Sequence, residues 1–125
     1  MSTRPAPIAT GAEVALVALG GGVGGVLRWG AGQLVAGPWT TCAVNALGCL
    51  LIGVLMALGP RPEVRLLLGT GALGGFTTFS GYAVDVVRAA DLACLLLTPV
   101  TCLAAAALGL ALTRRLRGPA AGGAP

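Results

Sequence analysis

The chain alternates between long apolar runs and short polar breaks, and this pattern predicts four membrane-spanning helices. The runs extend from about residue 14 to 35, 40 to 58, 65 to 87 and 92 to 112. Each comes close to the ~20 apolar residues that an α-helix needs to cross a bilayer core. The connections contain only a few residues, so consecutive spans are expected to run antiparallel, and the fold class is an all-α integral membrane protein.

The four spans form one predicted transmembrane domain, residues 12–113, between two tails. Residues 1–11 are rich in Pro and Ala, and residues 114–125 begin with arginines and continue with Pro, Ala and Gly. Such segments bury little apolar surface. We therefore expect a disordered N-terminal tail and a C-terminal tail that is basic and then disordered.

Composition and charge fit a membrane protein. Apolar residues make up 56% of the chain and charged residues 10%, whereas soluble domains contain about 25% charged residues. The net charge is +4, but the arginines form no stripe interleaved with aromatics, so the expected surroundings are membrane lipid and not nucleic acid.

Arginines cluster on the side of the membrane that holds both tails and the loop between spans two and three: Arg4, Arg61, Arg65, Arg114, Arg115 and Arg117. Arg88 lies on the other side, so both termini are predicted to be cytoplasmic.

No set of residues typical of an enzyme is present. The chain has no histidine, and its acidic residues lie at the ends of predicted spans: Glu13, Glu63, Asp85 and Asp91. A proton-coupled exporter would need a carboxylate deep in a span, so that class is disfavoured. The cysteines form no C-x-x-C motif and are predicted to be small buried hydrophobes: Cys42, Cys49, Cys94 and Cys102.

Two polar residues lie inside predicted spans. Arg28, in the first span, either extends toward the interface, pairs structurally within the protein, or lines an ion path. Asn45 is central in the second span, where one asparagine either hydrogen-bonds a neighbouring helix or lines a path. Thr41, Asn45, Gly48 and Ile52 share one helical face by their spacing.

The third span is interrupted by the sequence GGFTTFSGY, residues 74–82. Gly74 and Gly75 weaken a helix, and the following threonines do not restore it. A break at membrane depth is tolerated only where protein or a wet cavity covers the backbone. Phe79 and Tyr82 lie on one face beside this break, and the positive edge of an aromatic ring attracts an anion. Amide, hydroxyl and ring-edge donors without a central carboxylate favour a path for a small anion.

Three segments give the chain a specific resemblance: GGGVGGVLRW in span one, TTCAVNALGCLLIG in span two and GTGALGGFTTFS in span three. On these motifs the chain resembles the CrcB/Fluc family of fluoride channels. The resemblance implies an antiparallel, dual-topology dimer of four-span subunits, each with a broken third helix. It implies passive export of fluoride from the cytoplasm across a bacterial plasma membrane, which reduces fluoride toxicity. It also implies a structural sodium ion at the dimer centre that is not transported. By motif position, the carbonyls of Gly74 and Thr77 would hold the sodium.

The resemblance also assigns residues to the fluoride pathway. Asn45 matches the family's pore asparagine, Arg28 its span-one arginine and Phe79 the first aromatic residue of its phenylalanine pair. Thr78 and Ser80 supply hydroxyls at the break. Two positions depart from the family: Tyr82 stands where phenylalanine is usual, and span four has Cys94 and Thr98 in place of a tyrosine and a serine. Thr98 is expected to replace the serine as a hydroxyl donor.

The uneven arginines form a further departure, because a subunit that inserts both ways should be nearly balanced in charge. We therefore expect the chain to pair with an oppositely oriented paralogous subunit more readily than with itself. Two alternatives to a conducting subunit stay open. One is a non-conducting partner in a heterodimeric channel, and the other is a small proton-coupled exporter.

Overall fold

The computed structural model describes residues 10–118, and the predicted tails lie largely outside them. The helices follow one another in antiparallel order with short connections. Their bounds are α1 Gly11–Leu34, α2 Pro38–Leu58, α3 Pro62–Val64, a π-helix Arg65–Leu73, α4 Gly74–Phe76, α5 Phe79–Ala89 and α6 Leu92–Arg117. Since α3, the π-helix and α4 are continuous, the third span consists of residues 62–76 and α5. The predicted four-helix fold with an interrupted third helix is confirmed.

Local sequence signals explain where the long helices begin and end. Thr10 and Glu13 form a capping box at the start of α1. Pro38 occupies the first turn of α2, and Gly59 ends it with a φ of 61°, a left-handed conformation that glycine adopts without strain. Asp91 caps α6 by accepting a hydrogen bond from the Cys94 N–H.

In the described part of the chain, three helices are long and apolar enough to span a membrane: Gly11–Leu34, Pro38–Leu58 and Leu92–Arg117. The fourth helix continues to Arg117, five residues beyond the end that hydropathy predicts. Arg117 donates hydrogen bonds to the carbonyls of Ala57 and Leu58, which end α2. This contact puts the end of α6 beside the end of α2, as the antiparallel order requires.

The helices pack as two close pairs, α1 with the π-helix and α2 with α6. Gly20 and Gly24 of α1 touch the backbone of the third span at Leu67 and Ala72. Gly75 touches Gly21 in the same seam, whereas Gly25 faces open space. The absence of side chains at Gly20, Gly24 and Gly75 therefore lets the backbones of α1 and the third span approach closely.

The seam between α1 and the third span leads to a prediction about two glycines of one helix. A Cβ at Gly24 would overlap the Ala72 carbonyl, whereas a Cβ at Gly22 would meet nothing within 4 Å. We expect Gly24→Ala to destabilise the protein by about 1–3 kcal/mol or more, because a rigid backbone must move. Gly22→Ala, the matched control, should be neutral or slightly stabilising. Thermal unfolding in detergent measures both, and equal melting temperatures would contradict the packing.

Candidate functional site

The third span breaks at Thr77 and Thr78, whose backbones are extended between α4 and α5. Gly74 and Gly75 themselves stay helical, so the break lies after the glycines that the sequence singled out. The Thr77 hydroxyl donates to the Leu73 carbonyl, 3.0 Å away. The Thr78 hydroxyl accepts the Gly81 N–H at 3.0 Å and so caps the N-terminus of α5.

Asn45 holds the backbone of the break. Its side-chain amide donates to the Thr78 carbonyl at 2.9 Å, and its oxygen accepts the Thr78 N–H at 2.7 Å. The side chain is 7% exposed. Its neighbours on the same face, Gly48 and Thr41, also contact the third span: Gly48 lies against Thr77, and the Thr41 hydroxyl donates to Asp85. Asn45 therefore takes the place of two lost helical partners, which deep in a membrane would each be costly to leave unpaired.

Arg28 is the second residue that stabilises the break. Its guanidinium donates to the Thr77 carbonyl at 3.1 Å, and the residue is half-buried. Of the three roles considered for Arg28, the structure shows pairing within the protein. The backbone carbonyls of both residues at the break are thus hydrogen-bonded by side chains from the first two spans.

The Gly74 carbonyl differs from the carbonyls of Thr77 and Thr78, which accept hydrogen bonds from Arg28 and Asn45. In a continuous α-helix it would accept the Thr78 N–H, but that N–H donates to Asn45. Gly74 is exposed, and it lines a depression of about 170 Å³ together with Thr77 and Gly48. Gly74 and Thr77, which the motif assigns to sodium, thus line the same depression. The Thr77 carbonyl also accepts a hydrogen bond from Arg28.

A cavity of about 240 Å³ brings most of the predicted pathway residues together. The residues that line it come from α2, the break, α5 and α6: Asn45, Cys49, Thr77, Thr78, Phe79, Tyr82, Thr98, Pro99 and Cys102. The side chains of Asn45 and Thr98 are buried at its wall, at 7% and 3% exposure. Thr78 also lines a second cavity, of about 320 Å³, together with Arg28, Ser80 and Thr41 among others. The break therefore contributes to the lining of both cavities.

Phe79 and Tyr82 form the predicted aromatic pair, with ring centroids 5.7 Å apart and planes tilted by 59°. Their surroundings differ, since Phe79 is exposed and Tyr82 is buried. The Tyr82 hydroxyl donates to the Leu95 carbonyl of α6. Leu95 is four residues before Pro99, which has no N–H to complete the helical bond. The phenol of Tyr82 therefore satisfies the carbonyl that Pro99 leaves free.

Sequence reasoning missed three residues that line the 240 Å³ cavity: Cys49, Pro99 and Cys102. The spacing of the two cysteines is compatible with this position but does not single it out. Cys49 follows Asn45 by four residues, and Cys102 follows Thr98 by four, so each shares a helical face with a predicted pathway residue. Cys42 and Cys94 are buried, as expected for small hydrophobes, but Cys49 and Cys102 are half-exposed.

The Tyr82–Leu95 contact predicts a coupling between two helices. Tyr82→Phe should destabilise the protein by about 1–3 kcal/mol, because the Leu95 carbonyl loses its donor. In a Pro99→Ala background the helix regains an N–H, and the same change should cost less. A double-mutant cycle of thermal stability in detergent measures the difference. If the two substitutions changed the stability additively, the proposal that Tyr82 and Pro99 both act on the Leu95 carbonyl would be wrong.

Comparison with known proteins identifies the family of the chain. Residues 15–113 match the family model described as CrcB-like protein, Camphor Resistance (CrcB). The chain is 45% identical over 102 residues to the "Fluoride-specific ion channel FluC" of Erythrobacter litoralis, covering 69% of this chain and 72% of the relative. It is 49% identical over 88 residues to "Fluoride-specific ion channel FluC 2" of Streptomyces avermitilis, covering 62% and 56%.

A third relative, "Fluoride-specific ion channel FluC 1" of Streptomyces coelicolor, is 55% identical over 82 residues, covering 58% of this chain and 53% of the relative. The chain thus spans between about half and three quarters of the length of these relatives. The family model covers all four spans, including both sides of the break. By this match, the chain belongs to the CrcB family.

Proposed function

We propose that the chain is a subunit of a channel through which fluoride leaves the bacterial cytoplasm passively. One observation carries the proposal: a break in the third span lies beside a cavity walled by an amide, a hydroxyl and aromatic rings. Broken helices in membrane proteins recur where ions bind. The names of the relatives supply the ion, and the donors at this site suit an anion.

The cavity can replace the water that a small anion loses. Asn45 uses one amide hydrogen on Thr78 and keeps a second for a ligand. The N-terminus of α5, at Phe79 and Ser80, presents the positive end of a helix dipole. Phe79 adds a ring edge and Thr98 a hydroxyl. Each donor offsets part of the tens of kcal/mol that complete desolvation of an ion costs by Born estimates.

Tyr82 need not obstruct this path. Its hydroxyl is hydrogen-bonded to the Leu95 carbonyl of α6. The part of Tyr82 that remains for the pathway is therefore its ring, as it would be for a phenylalanine at this position. This contact favours a conducting subunit over a non-conducting one. Thr98 supplies the hydroxyl expected from span four, and Cys94, 1% exposed behind it, does not stand in for a tyrosine.

The path needs a second wall, and we propose that an antiparallel partner subunit supplies it. Phe79 is 80% exposed and Gly74 is exposed on the same chain. A backbone carbonyl exposed at membrane depth needs covering protein or a wet cavity. A ring that lines a pathway needs an opposite wall to enclose that pathway. Large apolar side chains also remain exposed along every span and face lipid or that partner.

The sodium site is part of the same proposal. The Gly74 carbonyl has no helical partner, and the Thr77 carbonyl keeps one lone pair beyond its bond to Arg28. Two such carbonyls from each of two inverted subunits fit the oxygen ligands of a hard cation. When bound, the sodium supplies positive charge that lowers the energy of an anion nearby in a medium of low dielectric constant.

We also propose that the partner is an oppositely oriented paralogue. Five arginines of the described residues lie at the membrane side where α2 and α6 end: Arg61, Arg65, Arg114, Arg115 and Arg117. Arg88, near the end of α5, is at the opposite side. Such a bias favours one orientation of the chain, with both termini in the cytoplasm.

Removal of the Phe79 ring tests the pathway. Phe79→Ala should lower fluoride efflux from loaded liposomes by about tenfold or more, since a loss of roughly 1.4 kcal/mol in the barrier region gives a factor of ten. Val87→Ala is the matched control, because Val87 lies on the same helix and is 79% exposed, against 80% for Phe79. A fluoride electrode measures both rates. Efflux that falls equally in both variants, or in neither, would refute the assignment of Phe79.

Orientation is tested by tags at both ends of the chain. We expect labelling by an impermeant reagent from the cytoplasmic side only, because the arginines are so unevenly distributed. Replacing Arg114, Arg115 and Arg117 by glutamate should reduce this preference and produce labelling from both sides. Equal labelling of the unaltered chain would show dual topology and would exclude an obligatory heterodimer. The efflux measurement is then made with the chain alone, or with the paralogue if a single orientation is found.

A further inference from the structure

The close contact between α2 and α6 holds all four cysteines. Cys42 lies 3.7 Å from the Thr101 hydroxyl. Cys94 is buried against the Thr98 hydroxyl and the Pro38 carbonyl. These two thiols are buried, and neither is among the residues that line the cavity.

Cys49 and Cys102 are different in position and exposure. Both are half-exposed, and both line the 240 Å³ cavity, Cys49 from α2 and Cys102 from α6. They lie one helical turn from Asn45 and Thr98, so they continue the proposed fluoride pathway toward the arginine-rich side. Two thiols that face one cavity from opposite helices form a pair of convergent ligands.

The helix backbones make this pair rigid. One turn beyond Cys49, Gly53 lies against the Ala106 carbonyl, and Gly109 lies against the Leu50 carbonyl. A side chain at either glycine would force the helices apart. Because helices hold ligands more accurately than loops do, the two sulfurs keep their relative position when a ligand arrives.

We propose that Cys49 and Cys102 form a two-thiol site for a soft monovalent cation, of which Cu(I) is the representative. Thiolates select soft cations over the hard cations that bind carbonyl oxygens. On binding, each thiol releases its proton to water, and both sulfurs bond to the metal. Two thiolates and one Cu(I) leave a net charge of −1 in the cavity wall.

The bound ion closes the pathway to fluoride. It occupies space in the cavity, and its negative complex repels an anion in a medium where charges are weakly screened. This consequence for transport rests on the proposed channel function, but the binding of metal does not. Copper binding and fluoride efflux are therefore measured separately.

Binding is tested with Cu(I) alone, kept reduced by ascorbate, against a chromophoric Cu(I) chelator. The purified chain should bind one Cu(I), and Cys49→Ser and Cys102→Ser should each lose this binding. Cys42→Ala is the matched control: Cys42 lies on the same helix as Cys49, outside the cavity wall, so its removal should leave the stoichiometry unchanged. Retained binding in both serine variants, or its loss in Cys42→Ala, would overturn the site.

A second measurement needs no substitution and so does not depend on how the variants fold. A bifunctional bimane that becomes fluorescent only when it bridges two thiols should join Cys49 to Cys102, as peptide mass spectrometry reads out, and Cu(I) should prevent the reaction. Absence of this bridge in the unaltered protein would also overturn the proposal. Fluoride efflux with and without Cu(I) is then compared within each variant. Binding without inhibition would leave the two-thiol site standing and refute its place in the pathway.

Discussion

The need to satisfy backbone hydrogen bonds at membrane depth governs this structure. A spanning helix normally pairs its own N–H and C=O groups, and lipid offers no substitute where it does not. At Thr77 and Thr78 the protein gives up this pairing and uses Asn45 and Arg28 instead. The polar residues in the first two spans are therefore explained first by the break. Their arrangement leaves the Gly74 carbonyl without a helical partner and one Asn45 hydrogen free beside a cavity.

Much of the fold follows from run length and from a few local signals. Four apolar runs separated by Gly, Pro and Arg predict four spans, and the hydroxyl-rich sequence of residues 74–82 predicts an interrupted one. Yet the break is at Thr77 and Thr78, not at the glycines. Gly75 is needed elsewhere, because its lack of a side chain lets α4 rest on Gly21 of α1. Helix propensity identifies a segment in which the helix is easily interrupted, whereas packing between helices determines at which residues the interruption occurs.

The site was predictable to the extent that spacing put its residues on common faces. The face containing Thr41, Asn45 and Gly48 does meet the third span. The partners of individual hydrogen bonds were not predictable, because they depend on how helices are placed in space. Arg28 could have reached the interface, but the close approach of α1 to the third span brings it to the Thr77 carbonyl. Cysteine spacing alone likewise does not distinguish the half-exposed Cys49 and Cys102 from the buried Cys42 and Cys94.

The bond from Tyr82 to Leu95 makes positions on two different helices depend on each other. With a residue other than proline at position 99, the Leu95 carbonyl would also accept a helical N–H, and the Tyr82 hydroxyl would share that acceptor. With Pro99 but without a phenol at position 82, the same carbonyl would have no donor from either group. Pro99 frees an acceptor on one helix and Tyr82 supplies a donor from another, so the two positions are interdependent. The tolerance of either position for substitution is therefore set by the residue at the other.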